Sequence, residues 1–522
     1  MRCIALVIVL SALTSTILAQ GAEFARVHHP VSTTNAQAQG YFDQGLTLLY
    51  AFNRTASRQA FQRAAKSDPG LAMAWWGVAM SYGRNINVPI EAAGEKAAVA
   101  AIAKARALAQ SRATPEERAF IGAAAVRYST KAKQDLTALD NAYCQAMRAL
   151  SHAYPDDNDA AALFAESAMD LRPWALYTVA GAPVQGTAEI VATLEGALAR
   201  EPLHIGANHF YIHATEASLQ PGRALISAMR LGKMNFEPAA AHLVHMPAHT
   251  LMRVGDYAGA VAANSHATMH DRMYLQHEND VEGGYYFGHD LFFLASAGAM
   301  NGDYSAASKA AADLVSQDVI EPQLFVDVRF ARWADVLAVA QPKPSEFEPL
   351  RIPVWHFARG MALASTGRVD EAQTELDVVR QAYASLKVPG ITGFYNGSHE
   401  ILGVAENLLG AKLAWAAGDH TGALAMLRDA VAAQDTFYYI EPPDWLGPAR
   451  ETLGAALLAS GDAAAAERVF RDDLIRNPLN PRSLFGLAQA LRDQGRDNDA
   501  QYVQASLDRV WVGEPLNLKD YF

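Results

Sequence analysis

A pattern that recurs at steps of 34 residues constrains the fold of this chain more than any other feature. Gly461 and Ala466 are followed 34 positions later by the same residue types, at Gly495 and Ala500. Apolar residues at helical spacing lie between them, and Pro478 closes the first unit. Each unit therefore predicts a helix, a turn at glycine, a second helix and a stop at proline. A single helix pair cannot bury its apolar face, so consecutive pairs are expected to stack into one continuous core.

The same frame recurs along most of residues 36–510. It is carried by Gly45, Leu48, Phe61, Ala64 and Pro69; by Ala248, Gly255, Ala260 and Ala267; by Ala295, Gly302 and Ala307; by Gly360, Leu363, Gly367 and Ala372; and by Ala411, Gly418, Ala423 and Ala430. This period and this placement of small and aromatic residues resemble the tetratricopeptide repeat. The resemblance implies an all-α fold, a tetratricopeptide-like α-solenoid in which antiparallel helix pairs form a right-handed superhelix. It also implies that the first helices of the pairs line a concave groove.

The first 19 residues have the composition of a signal peptide. Arg2 supplies a positive charge, an apolar run follows at 3–13, and Ala19 offers a small residue for cleavage. The alternative is an uncleaved anchor, although the run is short for a membrane span. We therefore expect an exported protein, periplasmic or secreted, without stable membrane insertion after cleavage. The expected segments are a signal peptide (1–19), an extended lead-in (20–35), a continuous solenoid (36–510) with a His-rich groove at about 204–290, and a C-terminal tail (511–522).

Composition and missing motifs exclude several classes of function. The formal net charge is −12 and no lysine- or arginine-rich run stands out, so nucleic-acid binding is not expected. The chain has no P-loop, dinucleotide fingerprint or HExxH motif, so we expect no nucleotide cofactor. Cleavage after the signal peptide leaves Cys144 as the only cysteine, which excludes a disulfide within the mature chain.

Two short stretches concentrate histidine, NHFYIHATE at 208–216 and AHLVHMPAHTLMR at 241–253. Residues three and four apart share one face of a helix, so each stretch predicts a stripe of polar side chains. The first stripe contains His209, His213 and Glu216, and the second contains His242, His245, His249 and Met252. In the next unit, His289 takes the place that corresponds to His242 when Gly302 is the turn. The tetratricopeptide resemblance implies that these side chains face the groove.

These stripes predict a transition-metal site. Neutral imidazole is a common ligand of zinc, copper and iron, and two facing stripes supply enough ligands for one ion or two. The predicted metal ligands are His209, His213, Glu216, His242, His245, His249 and His289. Met252 would add a soft ligand, and Arg253 would help to bind an anionic group. The alternatives are core histidines with ordinary hydrogen bonds, and an imidazole lining that binds a carboxylate.

Three functions stay open at this point. The first is binding of a small molecule or peptide in the groove, together with a transition metal. The second is a metal-dependent enzyme, oxidative or hydrolytic, in which Glu216 acts as a ligand or a base. The third is a pure protein-interaction scaffold, whose His stripe binds a peptide terminus or a carboxylate.

A closer resemblance is carried by four stretches: YFDQGLTLLYAFN at 41–53, NHFYIHATEAS at 208–218, HLVHMPAHTLMRVGDY at 242–257 and IEPPDW at 440–445. They resemble a group of exported bacterial tetratricopeptide proteins of unassigned function, and more distantly tetratricopeptide repeat protein 38. The resemblance implies the fold and no particular activity. That group often has histidine where this chain has Arg54, so the first repeat is not expected to supply a ligand. Residues 438–445, rich in aromatics and proline, predict a loop packed on the core, and a lid or an aromatic wall of the groove is the alternative.

Overall fold

The structure of the protein, a computed structural model, describes residues 24–90, 92–131, 136–344, 349–385, 387 and 396–521. The predicted signal peptide lies outside these ranges. Within them the only β-element is an isolated antiparallel bridge between Tyr177 and Pro183, and all other regular structure is helical. The predicted all-α fold is therefore confirmed. No helix in the described ranges combines the length and the apolar character needed to cross a lipid bilayer.

The helices follow one another with short connections. The first part contains α1 (Ala36–Tyr50), α2 (Arg54–Ser67), α3 (Ala72–Met80), α4 (Ala92–Ala109), α5 (Pro115–Ala124), α6 (Leu136–Ala153), α7 (Asn158–Met169) and α8 (Thr187–Arg200). The central part contains α9 (Ile205–Thr215), α10 (Leu225–Leu231), α11 (Ala241–His245), α12 (Pro247–Val254), α13 (Tyr257–Leu275) and α14 (Val281–Asn301). The last part contains α15 (Tyr304–Val315), α16 (Glu321–Arg329), α17 (Trp333–Ala338), α18 (Arg351–Ser365), α19 (Val369–Ser385), α20 (Ser398–Ala416), α21 (His420–Gln434), α22 (Ala449–Ala459), α23 (Ala463–Arg476), α24 (Pro481–Asp493) and α25 (Asp497–Val510). Short 3₁₀ turns lie at Pro221–Ala224, Pro238–Ala240 and Leu518–Tyr521.

Consecutive helices pack as antiparallel pairs, as the tetratricopeptide-like pattern predicts. Glycine and aspartate together make the turn inside several pairs. Gly255 ends α12 with a φ of 84°, a left-handed conformation that glycine adopts without a Cβ clash. The side chain of the next residue, Asp256, accepts a hydrogen bond from the Gly259 amide and so caps α13. The Gly–Asp sequence does the same before α15, α21 and α23.

A buried phenylalanine fills the space between neighbouring helix pairs at both ends of the solenoid. The ring of Phe61 lies against Gly45 and Gly77, where a Cβ at Gly45 would come within 2.7 Å of the ring. Phe470 lies against Gly454 and Gly486 in the same way, and both pairs of glycines are 32 positions apart. The repeat frame read from the sequence therefore corresponds to a repeated packing unit.

Both ends of the solenoid return to its middle. In the first part, the ring of Tyr50 in α1 lies against Gly206 in α9. In the last part, the Tyr257 hydroxyl donates to the carbonyl of Pro478 at 2.9 Å, and Gly255 lies directly against that same carbonyl. Helices α9–α14 are therefore covered from both sides, which decides how exposed the His stripes are.

We predict that Gly486→Ala destabilises the protein because the new Cβ would clash with the fully buried ring of Phe470. Overpacking of this kind costs roughly 1–3 kcal/mol, and the better helix propensity of alanine offsets about 1 kcal/mol of it. Gly122→Ala in α5 is the matched control, because a Cβ there meets no atom within 4 Å. Urea unfolding should therefore show a lower midpoint for Gly486→Ala and an equal or higher midpoint for Gly122→Ala. Equal midpoints for the two variants would contradict the packing described above.

Candidate metal centre

Four central helices bring all the predicted histidine ligands together. Helix α9 carries His209 and His213, Glu216 caps its end, α11 carries His242 and His245, α12 carries His249, and α14 carries His289. The side chains of His209, His245 and His249 are 0% exposed, and of the six only His289 is partly exposed. The imidazoles therefore lie in an enclosed centre, whereas the sequence predicted an open groove. The difference follows from the return of both chain ends onto the central helices.

The second His stripe keeps its spacing across a break in the helix. Pro247 has no N–H group, so it separates α11 from α12. Met246, immediately before it, stays helical with φ −50° and ψ −36°, so the helical register continues. His245 and His249 therefore still face each other, with ring centroids 4.7 Å apart.

The six imidazoles fall into two sets of three. Within each set, one ligand nitrogen from every ring lies within 4.8 Å of the others. The first set, which we call set A, contains His209, His213 and His242, and the second, set B, contains His245, His249 and His289. In set B the Nε2 atom of His245 lies 2.9 Å from Nε2 of His249 and 3.2 Å from Nε2 of His289.

Glu216 lies between the two sets, with one carboxylate oxygen against a ring of each. Its Oε1 accepts a hydrogen bond from Nδ1 of His213 at 2.7 Å, and its Oε2 lies 2.7 Å from Nδ1 of His249 in an ion-pair contact that lacks hydrogen-bond geometry. Burial raises the pKa of Glu216, but the neighbouring His249 and His213 outweigh burial and hold the pKa well below its usual range. An ionised carboxylate only accepts hydrogen bonds, so His213 carries its proton on Nδ1. The Nε2 atom of His213 therefore presents a lone pair to set A.

Two further rings have the same tautomer for independent reasons. The Nδ1 of His209 lies 2.6 Å from the backbone carbonyl of Tyr50, which can only accept. The Nδ1 of His245 lies 2.6 Å from Oδ1 of Asn264. The amide nitrogen of Asn264 donates to the Ala260 carbonyl, so its oxygen is the atom that faces His245. Partners of this kind orient metal-binding imidazoles in known metal centres.

The nitrogens of set A have no hydrogen-bond partner. In the described part of the chain, these are Nε2 of His209, Nε2 of His213 and both ring nitrogens of His242. A buried polar atom without a partner costs about 1–3 kcal/mol. In set B, Nε2 of His245 lies within hydrogen-bond distance of Nε2 of His249 and Nε2 of His289. One N–H group shared there satisfies one such contact at a time, whereas a metal ion would satisfy all three nitrogens of the set.

The local electrostatics keep these rings neutral. Burial lowers the pKa of His209, His242 and His245 well below 6.5, and the neighbouring imidazoles lower it further. Burial also lowers the pKa of His213, and it lowers the pKa of His289 to about 3. Neutral imidazole is the form that binds metal.

The segment at 438–445 reaches this centre. The Tyr439 hydroxyl donates to Oε2 of Glu216 at 3.0 Å, and its ring lies 5.0 Å below the guanidinium of Arg253. Burial raises the pKa of the nearby Glu441 to about 8. The sequence favoured a loop packed on the core, and Trp445 does pack in the core, while Tyr439 of the same segment forms one wall of the centre, as the alternative predicted. The proline and aromatic content of this segment was the feature of the sequence that marked it as a candidate wall.

The two predicted accessory residues have other contacts. Met252 packs in an apolar cluster with Ala248 and Phe293. Arg253 donates to the backbone carbonyl of Glu216 at 3.0 Å, so it supports the end of α9. Phe52, which the sequence did not single out, covers set A, and its ring centroid lies 4.7 Å from that of His209 and 5.3 Å from that of His242.

A second group with possible ligand atoms contains His29, Asp157 and Asp159. Here the hydrogen bonds of Asp159 are already made: it accepts from His29 at 2.9 Å, from His204 at 3.0 Å and from the Tyr50 hydroxyl at 2.7 Å. Burial alone would lower the pKa of His29, but the bond to Asp159 outweighs it and raises the pKa to about 9. This group therefore anchors the N-terminal segment to α1 and α7.

No protein-family model and no curated protein sequence matches the chain. Among solved structures, human IFIT1 in a dimer with m7Gppp-AAAA is 11% identical, over 92% of this chain and 91% of that one, with a TM-score of 0.33. Cut9 in the APC/C hetero-tetramer Cut9-Hcn1 is 12% identical, over 93% and 75% of the two chains, with a TM-score of 0.29. Yeast Tom70 is 12% identical, over 91% and 92%, with a TM-score of 0.28. Matches at this level carry no argument about function, and the fold described above rests on the helix pairs themselves.

The neutral rings predict a pH dependence for the metal-free protein. In the unfolded chain His242 takes up a proton as the pH falls below about 6.5, whereas the folded pKa lies well below that value. The free energy of unfolding therefore decreases as the pH is lowered through this range, by up to about 1.4 kcal/mol per pH unit for each such ring. His242→Gln should make the decline between about pH 6.5 and 5.5 shallower by up to that amount. Denaturant unfolding in the presence of a chelator measures it, with the exposed His266→Gln as the control. The same slope in His242→Gln and the control would show that His242 is not held neutral.

Proposed function

We propose that this chain is an exported, tetratricopeptide-like solenoid protein that binds a transition metal in the enclosed His centre. The observation that supports it is six buried imidazoles in two sets of three, in which the bonds to Tyr50 and Glu216 leave Nε2 of His209 and Nε2 of His213 as lone pairs without a partner. Export rests on the composition of residues 1–19.

The ligand type narrows the choice of metal. All six candidate ligands are imidazoles, which suit zinc, copper, iron and nickel better than calcium or magnesium. Met252 packs in an apolar cluster, so no soft sulfur ligand from this residue favours copper. Sets of three histidines also leave coordination positions for water or a substrate, as catalytic zinc sites do.

A specific observation supports a metal-dependent enzyme as the second candidate. A small pocket of about 320 Å³ of empty space, part of it open to solvent, lies beside the centre, and His213, Glu216, Trp174 and Tyr439 are among its lining residues. A small molecule in this pocket would lie next to set A. The peptide-scaffold alternative has less support, because the imidazoles are buried and a peptide on the surface would not reach them.

We predict that the mature protein, purified without chelators or an affinity tag, contains zinc, copper or iron in stoichiometric amount. His213→Ala/His245→Ala should remove the metal, because it deletes one ligand from each set, whereas His266→Ala should retain it. Inductively coupled plasma mass spectrometry gives the metal content, circular dichroism confirms that the variants are folded, and N-terminal sequencing should find a start near Gln20.

The absence of metal from the wild-type protein, even after reloading, would refute the metal proposal. If metal is present, assays of the loaded protein for oxygen uptake and for ester hydrolysis distinguish a metalloenzyme from a metal-binding solenoid. An intact N-terminus in the exported fraction would refute cleavage of residues 1–19.

A further inference from the structure

The separation of the ligand nitrogens limits how many rings one ion can bind. Metal–imidazole bonds are about 2.0–2.1 Å long, so two ligands of one ion lie at most about 4.2 Å apart. At bond angles between about 90° and 109°, the separation is about 2.8–3.4 Å. The Nε2 separations of 2.9 and 3.2 Å in set B fall in that range. Two of the three nitrogen separations in set B therefore already match those of ligands around one ion, and the third is within 4.8 Å.

Set A is a separate group with its own unpaired nitrogens. Its three rings lie close together. The ring centroids of His209 and His213 are 4.9 Å apart, and those of His209 and His242 are 5.0 Å apart. The nitrogen atoms without a partner are those of set A, Nε2 of His209, Nε2 of His213 and both ring nitrogens of His242. A third group of possible ligand atoms, His213, Glu216 and His249, overlaps both sets, so Glu216 lies where the two would meet.

The two sets adjoin each other along two edges. The centroids of His213 and His249 are 5.2 Å apart, and those of His242 and His245 are 5.6 Å apart. The carboxylate of Glu216 joins the first of these edges, because one oxygen accepts from His213 and the other lies 2.7 Å from Nδ1 of His249. The sets cut across the two His stripes of the sequence, because His242 belongs to the second stripe but joins set A.

We propose that the centre is dinuclear: His209, His213 and His242 hold one transition-metal ion, His245, His249 and His289 hold a second, and Glu216 orients one ligand of each. This inference rests on the proposed metal-binding function and adds the number of ions and the division of ligands. Two adjacent ions with open coordination positions would bind a small bridging ligand, such as hydroxide or dioxygen, between them.

Metal stoichiometry tests the inference. The full-length mature protein is stripped with a chelator, reloaded with excess Cu²⁺, passed through a desalting column and analysed for copper per chain. We expect two equivalents in the wild type and in His266→Gln. His209→Gln/His242→Gln should retain one equivalent, and His245→Gln/His289→Gln should also retain one. The Cu²⁺ electron paramagnetic resonance signal should be broadened by the neighbouring ion in the wild type and sharp in both double variants.

Substitution of the residues that contact the rings, Glu216 and Asn264, gives a second test in which all six imidazoles are kept. Glu216→Gln should weaken the binding of both ions, because a carboxamide cannot face both Nδ1 groups with an acceptor oxygen. Loss of such a partner typically lowers metal affinity 10–100-fold. Asn264→Ala should weaken binding of the ion in set B alone and by less, because Asn264 is hydrogen-bonded to His245 of that set and Oδ1 of Asp290, 3.2 Å from the same Nδ1, remains as an acceptor. Competition with a chelator of known affinity measures both effects.

The outcomes separate the two proposals. No copper in the wild type would refute metal binding and the dinuclear centre together. One equivalent, lost completely in either double variant, would retain metal binding and overturn the dinuclear inference. Two equivalents that persist in both double variants would place the ions elsewhere and would also overturn it. Circular dichroism of each variant ensures that a lost ion reflects a lost ligand and not an unfolded chain.

Discussion

The contacts of His213 and His249 with Glu216 are the interaction on which the centre depends. A buried carboxylate is stable only when it is paired, and here the His213 N–H group and the Tyr439 hydroxyl donate to it while Nδ1 of His249 lies 2.7 Å from its second oxygen. By accepting from His213, Glu216 fixes that ring in one tautomer and directs its remaining lone pair away from the carboxylate. One side chain thus keeps its own charge buried and holds one ring of each of the two neighbouring sets.

The architecture supplies the enclosure that this chemistry requires. A solenoid is usually open along its length, because each unit contacts only its neighbours. In this chain, α1 packs on α9, and the segment around Pro478 packs on Gly255 and Tyr257. The face of the central helices that carries the imidazoles is therefore largely withdrawn from water, and burial lowers the pKa values of these rings. The same long-range packing brings Tyr439 to Glu216 across 223 positions of sequence.

Local periodicity explains why the fold and the ligand residues could be read from the sequence. The turn at Gly255, the cap at Asp256 and the wedge at Phe470 depend on residues close to each other in the chain or one repeat apart. Histidines at i and i+4 share a helix face for the same geometric reason. The second stripe kept its spacing even across Pro247, because Met246 stays helical. The position of Met252 was harder to read, since one face of a short helix adjoins both the imidazoles and an apolar cluster.

The sequence by itself determined the helical repeat and the residues with metal-binding chemistry, because both follow from spacings of a few residues. Only the tertiary structure decided that the six rings form two sets, that they are buried, and that Tyr50 and Asn264 fix their tautomers. The partner of His209 lies 159 positions away, at the end of a helix that carries no ligand. A contact of this kind depends on how the whole superhelix closes on itself, and the spacing of residues within one repeat carries no information about that closure.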